Sequence, residues 1–157
     1  EISCSLVGSE MCIRDSIYTP AVTVFKTDTE QPEIMDASDW YNVDVITCAA
    51  PNLRVQNNYN GKSSYNNAKK MTNDELLKLH EKRLKRILDT AFSEDDETII
   101  LGAFGCGAFM NDPQIVAQAA KNVIREYLYS FKNIEFAVYC SPRDDRNYRI
   151  FDRVLKK

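Results

Sequence analysis

Apolar residues change period several times along the chain, and each change predicts an element. Ala21 to Lys26 (AVTVFK) follows Pro20 and is rich in β-branched residues, which predicts a strand. Asp28 to Asp39 is polar and holds Pro32, a loop. Val43 to Ala50 (VDVITCAA) predicts a second strand, stopped by Pro51. Asn52 to Thr72 is long, polar and Asn-rich. Thr72 and Glu75 then form a T-x-x-E capping box that opens a helix. Leu77, Leu84, Ile87, Leu88 and Ala91 fall at helical spacing, and Lys82, Arg83, Lys85 and Arg86 are expected on its solvent face. Thr98 to Leu101 (TIIL) is a continuous apolar run, as in a strand covered on both faces. A glycine-rich turn follows. Asn111 or Asp112 can cap the next helix, with Pro113 at its first position. That helix carries Val116, Ala119, Ala120, Val123, Ile124 and Tyr127 on one stripe. Ile134 to Cys140 predicts the last strand, and a final helix carries Ile150, Phe151, Val154 and Leu155.

Alternation of strands and helices is an α/β pattern, and a strand-helix-strand crossover joins parallel neighbours. Ligands in such sheets sit outside the carboxyl ends of the strands. Three loops are therefore of interest: Pro51 to Thr72, Gly102 to Asp112 and Ser141 to Asn147.

Composition narrows the classes. The chain has 157 residues, 44% hydrophobic and 27% charged, which suits one globular domain. A net charge of −3 argues against unspecific nucleic-acid binding, which needs a basic surface. No apolar run approaches the ~20 residues that span a bilayer, so no membrane partner is expected. The first sixteen residues, EISCSLVGSEMCIRDS, start without Met and lack the apolar run of a signal peptide. They resemble a translated sequencing adapter, so 1–16 is expected to be non-native and 17–157 to be the native part. Setting them aside removes three acidic residues and one basic residue, which moves the net charge to −1. The remaining Cys48, Cys106 and Cys140 form no CxxC pair and are expected to be free buried thiols. That usage favours a reducing compartment, and a cytoplasmic location is expected.

Five glycines occur in the chain, and three lie within Gly102 to Gly107, in GAFGCGAFMNDP. Glycines at positive φ let successive N–H groups point into one concavity, and the helix from Pro113 aims its positive end the same way. Both features favour a phosphate. A Walker A loop is excluded, since no Lys follows before Lys121. The dinucleotide fingerprint fails at Met110, where its third glycine belongs. The plain alternative is a turn that only lets strand and helix pack closely. Asp112 could also occupy the anion position itself.

LGAFGCGAFMNDP, together with VDVITCAAPNL, FKNIEFAVYC and DDRNYRIF, resembles the microbial-type poly(ADP-ribose) glycohydrolases, proteins built around a macro domain. The resemblance runs from about Ile17 onward. It implies a three-layer α/β/α fold with a mixed sheet, here expected to be incomplete at its N-terminus. GAFGCGAF looks like the family's second diphosphate-binding loop. By that match Gly105, Cys106, Gly107 and Ala108 would present backbone N–H groups to the diphosphate of ADP-ribose. Phe109 would pack against the distal ribose, and Tyr139 would lie on the adenosine side. The implied partner is ADP-ribose or poly(ADP-ribose) on modified proteins. The family's Gly-Gly-Gly and Gln-Glu-Glu signature is missing, since no Gly-Gly or Glu-Glu pair occurs. The resemblance thus implies the ADP-ribose-binding part of a glycohydrolase whose catalytic stretch lies elsewhere.

Cleaving a glycosidic bond needs one carboxyl as acid and another as base. Glu94 to Glu97 crowd a turn at the wrong end of a strand and are expected to be solvated. Asp144 and Asp145 are closer, but are expected to cap the last helix. No catalytic residue is assigned, and no cofactor or metal is implied. One alternative is a macro module that binds without catalysis. Another is a thiol enzyme built on Cys106 and the single histidine, His80, which flanks the apolar stripe of its helix and reads more simply as structural. Tyr59 or Tyr65 could close over a ligand, or their loop could be plain surface.

Overall fold

The computed structural model describes residues 16–53 and 71–156. The foreign-looking segment, apart from Ser16, and most of the Asn-rich loop, with Tyr59 and Tyr65, lie outside the described residues. The elements are β1 (Ile17–Val24), a single 3-10 turn (Ala37–Asp39), β2 (Tyr41–Thr47), α1 (Asn73–Ser93), β3 (Thr98–Gly102), α2 (Pro113–Ile124), β4 (Asn133–Ala137) and α3 (Arg146–Leu155). The α/β class read from the sequence holds.

β1 starts earlier than Pro20, and the proline sits inside it. The β1–β2 pairing is antiparallel, and its register shifts between Thr19 and Val22. That shift is a bulge, the site where a strand tolerates a residue with no N–H to donate. Ala21 there has φ 55°. Asp44 of β2 holds the bulge from across the ladder. Its carboxylate accepts the Ala21 N–H at 2.6 Å and the Tyr18 hydroxyl at 2.5 Å.

β3 and β4 pair in parallel, joined through α2. Among the described residues the strands form two separate two-stranded sheets, β1-β2 and β3-β4, instead of one continuous mixed sheet. β3 alternates, with Ile99 and Leu101 buried and Ile100 66% exposed, so it is covered on one face and not on two. All three helices lie over the Ile99 and Leu101 face, where Leu84, Leu88, Ala120 and Val123 meet the strand. Phe151 and Val154 of α3 close the same face beside Val116 and Ala117.

Local signals explain the helices. The capping box forms as spelled: Glu75 N–H donates to Thr72 Oγ1 at 3.2 Å, and Thr72 N–H to Glu75 Oε2 at 2.8 Å. Polar ties then fix the helix pairs. Asn122 donates to Glu81 at 2.7 Å, the Tyr127 hydroxyl donates to Asp89, and Lys121 reaches the carbonyl of Val154 at 2.8 Å. The expected basic face of α1 needs one correction. Arg83 is only 6% exposed, because its position one turn after His80 turns inward with that residue. Cys140 also departs from expectation. It is exposed past the end of β4, whereas Cys48 and Cys106 are half-buried, and all three are free thiols. Among the described residues no helix is long and apolar enough to cross a membrane.

Candidate functional site

β3 ends at Gly102, and the chain makes a tight loop before Pro113 starts α2. Internal bonds fix the loop: Phe104 N–H to Gly102 O at 2.8 Å, Cys106 N–H to Ala103 O at 3.0 Å and Met110 N–H to Gly107 O at 3.0 Å. Gly105 sits at φ +77°, and a Cβ there would fall 2.6 Å from Asn111 Nδ2 and 2.7 Å from Ala50 Cβ. This glycine is needed for both conformation and space. A Cβ at Gly107 would meet nothing within 4 Å, so Gly107 borders open space.

Asn111 organises the loop, a role that sequence reading missed. It is nearly fully buried. Its amide donates to Pro51 O at 2.7 Å and Gly105 O at 2.9 Å, which ties the exit of β2 to the glycine loop. Its Oδ1 meets His80 Nε2 at 3.0 Å. Since the Asn111 nitrogen is committed to carbonyls, His80 must donate, and the imidazole is the neutral Nε2–H tautomer. Burial lowers the His80 pKa, the Asn111 bond partly opposes that, and the Arg83 charge adds to the lowering. The signal for this pair lay in the sequence: one inward histidine and one asparagine placed directly before a helix cap.

The phosphate expectation divides here. The N-terminus of α2 is already satisfied: Asp112 Oδ1 accepts Gln114 N–H at 2.9 Å, and Asp112 O accepts Ile115 and Val116 N–H, each at 3.1 Å. Pro113 has no N–H to offer. No helix donor remains for an anion, and the helix contribution predicted from the sequence is withdrawn. Among the loop donors, Cys106 is likewise spent on Ala103 O. The N–H groups of Gly105, Gly107, Ala108 and Phe109 have no partner among the described residues.

A groove of about 400 Å³ opens beside this loop, within the ~300–1,000 Å³ usual for small-molecule sites. Ala103 and Gly107 line it from the loop, Val138 and Tyr139 from the end of β4, and Asp144 and Asn147 from the start of α3. The structure therefore brings Gly107 and Tyr139, 32 positions apart in the sequence, to one groove at the edge of the β3-β4 sheet. Tyr139 is 85% exposed, with its ring free to stack. Phe109 is half-buried, and its carbonyl accepts Leu53 N–H at 3.0 Å.

The carboxylates stay where the sequence put them. Glu97 pairs with Lys132 at 2.6 Å, far from the groove. Asp145 pairs with Arg149, and Asp144 Oδ1 accepts Arg146 N–H at 3.2 Å. Asp144 is the one carboxylate lining the groove among the described residues. Those residues hold no cluster of groups fit for a metal ion. The thiol alternative loses its nucleophile. Burial, with the Asp112 charge behind it, pushes the Cys106 pKa up to about 12, and His80 is bonded to Asn111 instead.

No family model and no curated protein sequence matches the chain. Solved structures do. Poly(ADP-ribose) glycohydrolase from Deinococcus radiodurans in complex with ADP-ribose is 26% identical with a TM-score of 0.72, over 90% of this chain and 52% of that one. Its apo form gives 27% and 0.71, over 90% and 53%. The Thermomonospora curvata enzyme gives 26% and 0.74, over 88% and 46%. The chain thus spans about half the length of these relatives, and over that half it has the fold of the microbial poly(ADP-ribose) glycohydrolases.

Proposed function

We propose that this chain is the ADP-ribose-binding part of a poly(ADP-ribose) glycohydrolase-like protein. The diphosphate meets the free N–H groups of Gly105, Gly107, Ala108 and Phe109. The adenosine lies toward Tyr139, and the distal ribose toward Phe109. The observation that carries this reading is the groove itself, with Gly107, whose N–H has no partner among the described residues, on one wall and the exposed ring of Tyr139 on the other. The relatives' complexes with ADP-ribose support the choice of ligand.

Hydrolysis of ribose–ribose bonds belongs, on this reading, to the longer protein. A glycosidase needs two carboxyls flanking the bond, about 5–9.5 Å apart. Only Asp144 lines the groove among the described residues, and it is engaged with Arg146 N–H. That observation favours binding without turnover for the chain as it stands. Residues 17–157 would then be one part of a macro domain, with ADP-ribosylated proteins as the partners of the whole.

Calorimetric titration with ADP-ribose, and incubation with poly(ADP-ribose), test both halves. Saturable binding of ADP-ribose, tighter than adenosine alone, with no ADP-ribose released from the polymer, is the expected result. Equal affinity for adenosine would remove the diphosphate loop from the account. Release of ADP-ribose would show that the chain carries its own catalytic carboxyls.

A further inference from the structure

A pocket of about 400 Å³ opens at the other end of the β3-β4 sheet, where the two strands begin. Two turns form it. One leaves α1 and contributes Phe92 and residues 95–97, and the other leads into β4 and contributes residues 129–132. The turns are tied to each other. Glu97 O accepts Lys132 N–H at 2.7 Å, and Glu97 Oε1 accepts from Lys132 Nζ at 2.6 Å. Each turn also closes on itself, with Asp95 N–H on Phe92 O at 3.3 Å and Ser130 N–H on Tyr127 O at 2.9 Å. The walls are therefore formed in advance, and a ligand does not have to order them.

The lining is aromatic although packing gives it little use. Tyr129 is 101% exposed and Phe92 56% exposed. Phe131 behind them is buried, with Phe92 edge-on to it at 6.5 Å between ring centroids. Single apolar residues are ordinary on a surface, but two open rings lining one pocket match the composition of a binding hot spot.

Charge selects the occupant. Lys132 is the one cation lining the pocket, and it is spent on Glu97. Asp96 shares a hydrogen bond with Asp44. The carboxylates of Asp95 and of its neighbour Glu94 have no hydrogen-bond or ion-pair partner among the described residues. An anion, a nucleotide included, is repelled here. A guanidinium fits: it stacks on an aromatic face and offers paired N–H donors to a carboxylate, whereas an ammonium holds its water more tightly.

We propose that this pocket docks an arginine side chain of a basic polypeptide, with the guanidinium over Tyr129 and bonded to Asp95, and the stem along Phe92. The docking is independent of the ADP-ribose groove, which lies at the opposite end of the sheet.

The probe is a nine-residue peptide of alternating glycine and arginine with blocked ends, beside twins that carry lysine or the uncharged isostere citrulline in place of arginine. The readouts are affinity for the full chain by calorimetry and amide shifts by NMR. The arginine peptide should move the amides of Phe92, Asp95, Tyr129 and Lys132. It should bind about ten-fold more tightly than the citrulline twin and more tightly than the lysine twin. Tyr129→Ser and Asp95→Asn should each weaken it about five-fold and leave the denaturation midpoint unchanged. Tyr129 is fully exposed, and asparagine accepts the φ of 61° at Asp95. Equal affinity for the citrulline or lysine twin would overturn the proposal, as would binding that both variants leave undiminished. Shifts confined to the acidic loop 28–39 would do the same. Self-association of the chain that Tyr129→Ser abolishes would assign the pocket to a second copy and overturn the docking of an outside polypeptide.

Discussion

Gly105 and Gly107 are two residues apart in one loop, yet alanine should affect them in opposite ways. At Gly105 the backbone is left-handed, φ +77°, which costs a residue with a Cβ about 1–2 kcal/mol. The new methyl would also sit 2.6 Å from Asn111 Nδ2 and 2.7 Å from Ala50 Cβ. Asn111 has little room to yield, because it is bonded to Pro51 O, Gly105 O and His80 at once. Overpacking of this kind costs about 1–3 kcal/mol. Gly105→Ala should therefore lose about 2–5 kcal/mol, a large part of the ~5–15 kcal/mol of an ordinary domain. Gly107 is outside the left-handed region and faces open space, so Gly107→Ala should stay within about 0.5 kcal/mol of the parent. Its methyl would instead stand where the ligand approaches, and ADP-ribose affinity should fall about ten-fold or more, about 1.4 kcal/mol. Urea denaturation and ADP-ribose titration of both variants separate the effects. A Gly105→Ala protein as stable as the parent would refute the packing argument. A Gly107→Ala protein with undiminished affinity would refute the placement of the ligand.

Other outcomes follow from the same contacts. Cys106→Ser should leave ADP-ribose affinity within about two-fold, because a thiol pushed up to about 12 contributes no thiolate near neutrality; a larger loss on titration would revive a role for the sulfur. His80 has a folded pKa below its ordinary 6.5, so the unfolded chain binds the extra proton first. Stability should be full above pH 6.5 and fall as pH drops below it, and His80→Gln should flatten that slope in denaturation curves. Asp96 is shifted the other way, by burial first and then by the Asp44 charge and hydrogen bond. Its contribution is present below its unfolded value of 3.8 and lost as pH rises through the raised folded value, so Asp96→Asn should remove this loss. Leu88→Ala, at a fully buried position of α1, should cost about 2–5 kcal/mol in the same assay without altering the ligand groove.

Much of the architecture was legible where the signals are local. Thr72 and Glu75 spelled the start of α1, Asp112 and Pro113 the start of α2, and the alternation of strands and helices the α/β class. Signals that depend on partners were not legible. Pro20 reads as a strand boundary until Asp44 is seen supplying the acceptor that lets a bulge form around it. The TIIL run reads as doubly covered, but Ile100 faces outward because the described residues place no layer there. Arg83 reads as solvated, since nothing local says that its turn of α1 faces inward. In the candidate site, the glycines announced a tight loop, and the resemblance supplied its ligand. The spending of individual N–H groups could not be read. Asp112 capping α2 and Cys106 bonding Ala103 are outcomes of three-dimensional hydrogen-bond choice, and they leave the N–H groups of Gly105, Gly107, Ala108 and Phe109 as the loop donors without a partner among the described residues. Asn111 read only as a candidate helix cap, for a related reason. Its importance lies in joining Pro51, His80 and Gly105, residues distant in the chain.

The most direct test of the central claim is an amide-resolved NMR titration of the full chain with ADP-ribose. The account predicts saturable shifts at Gly105, Gly107, Ala108 and Phe109, at Val138 and Tyr139, and at Asn147, with the amides of β1 left unmoved. Shifts confined to residues of β1 and β2, or none at saturating ligand, would contradict it.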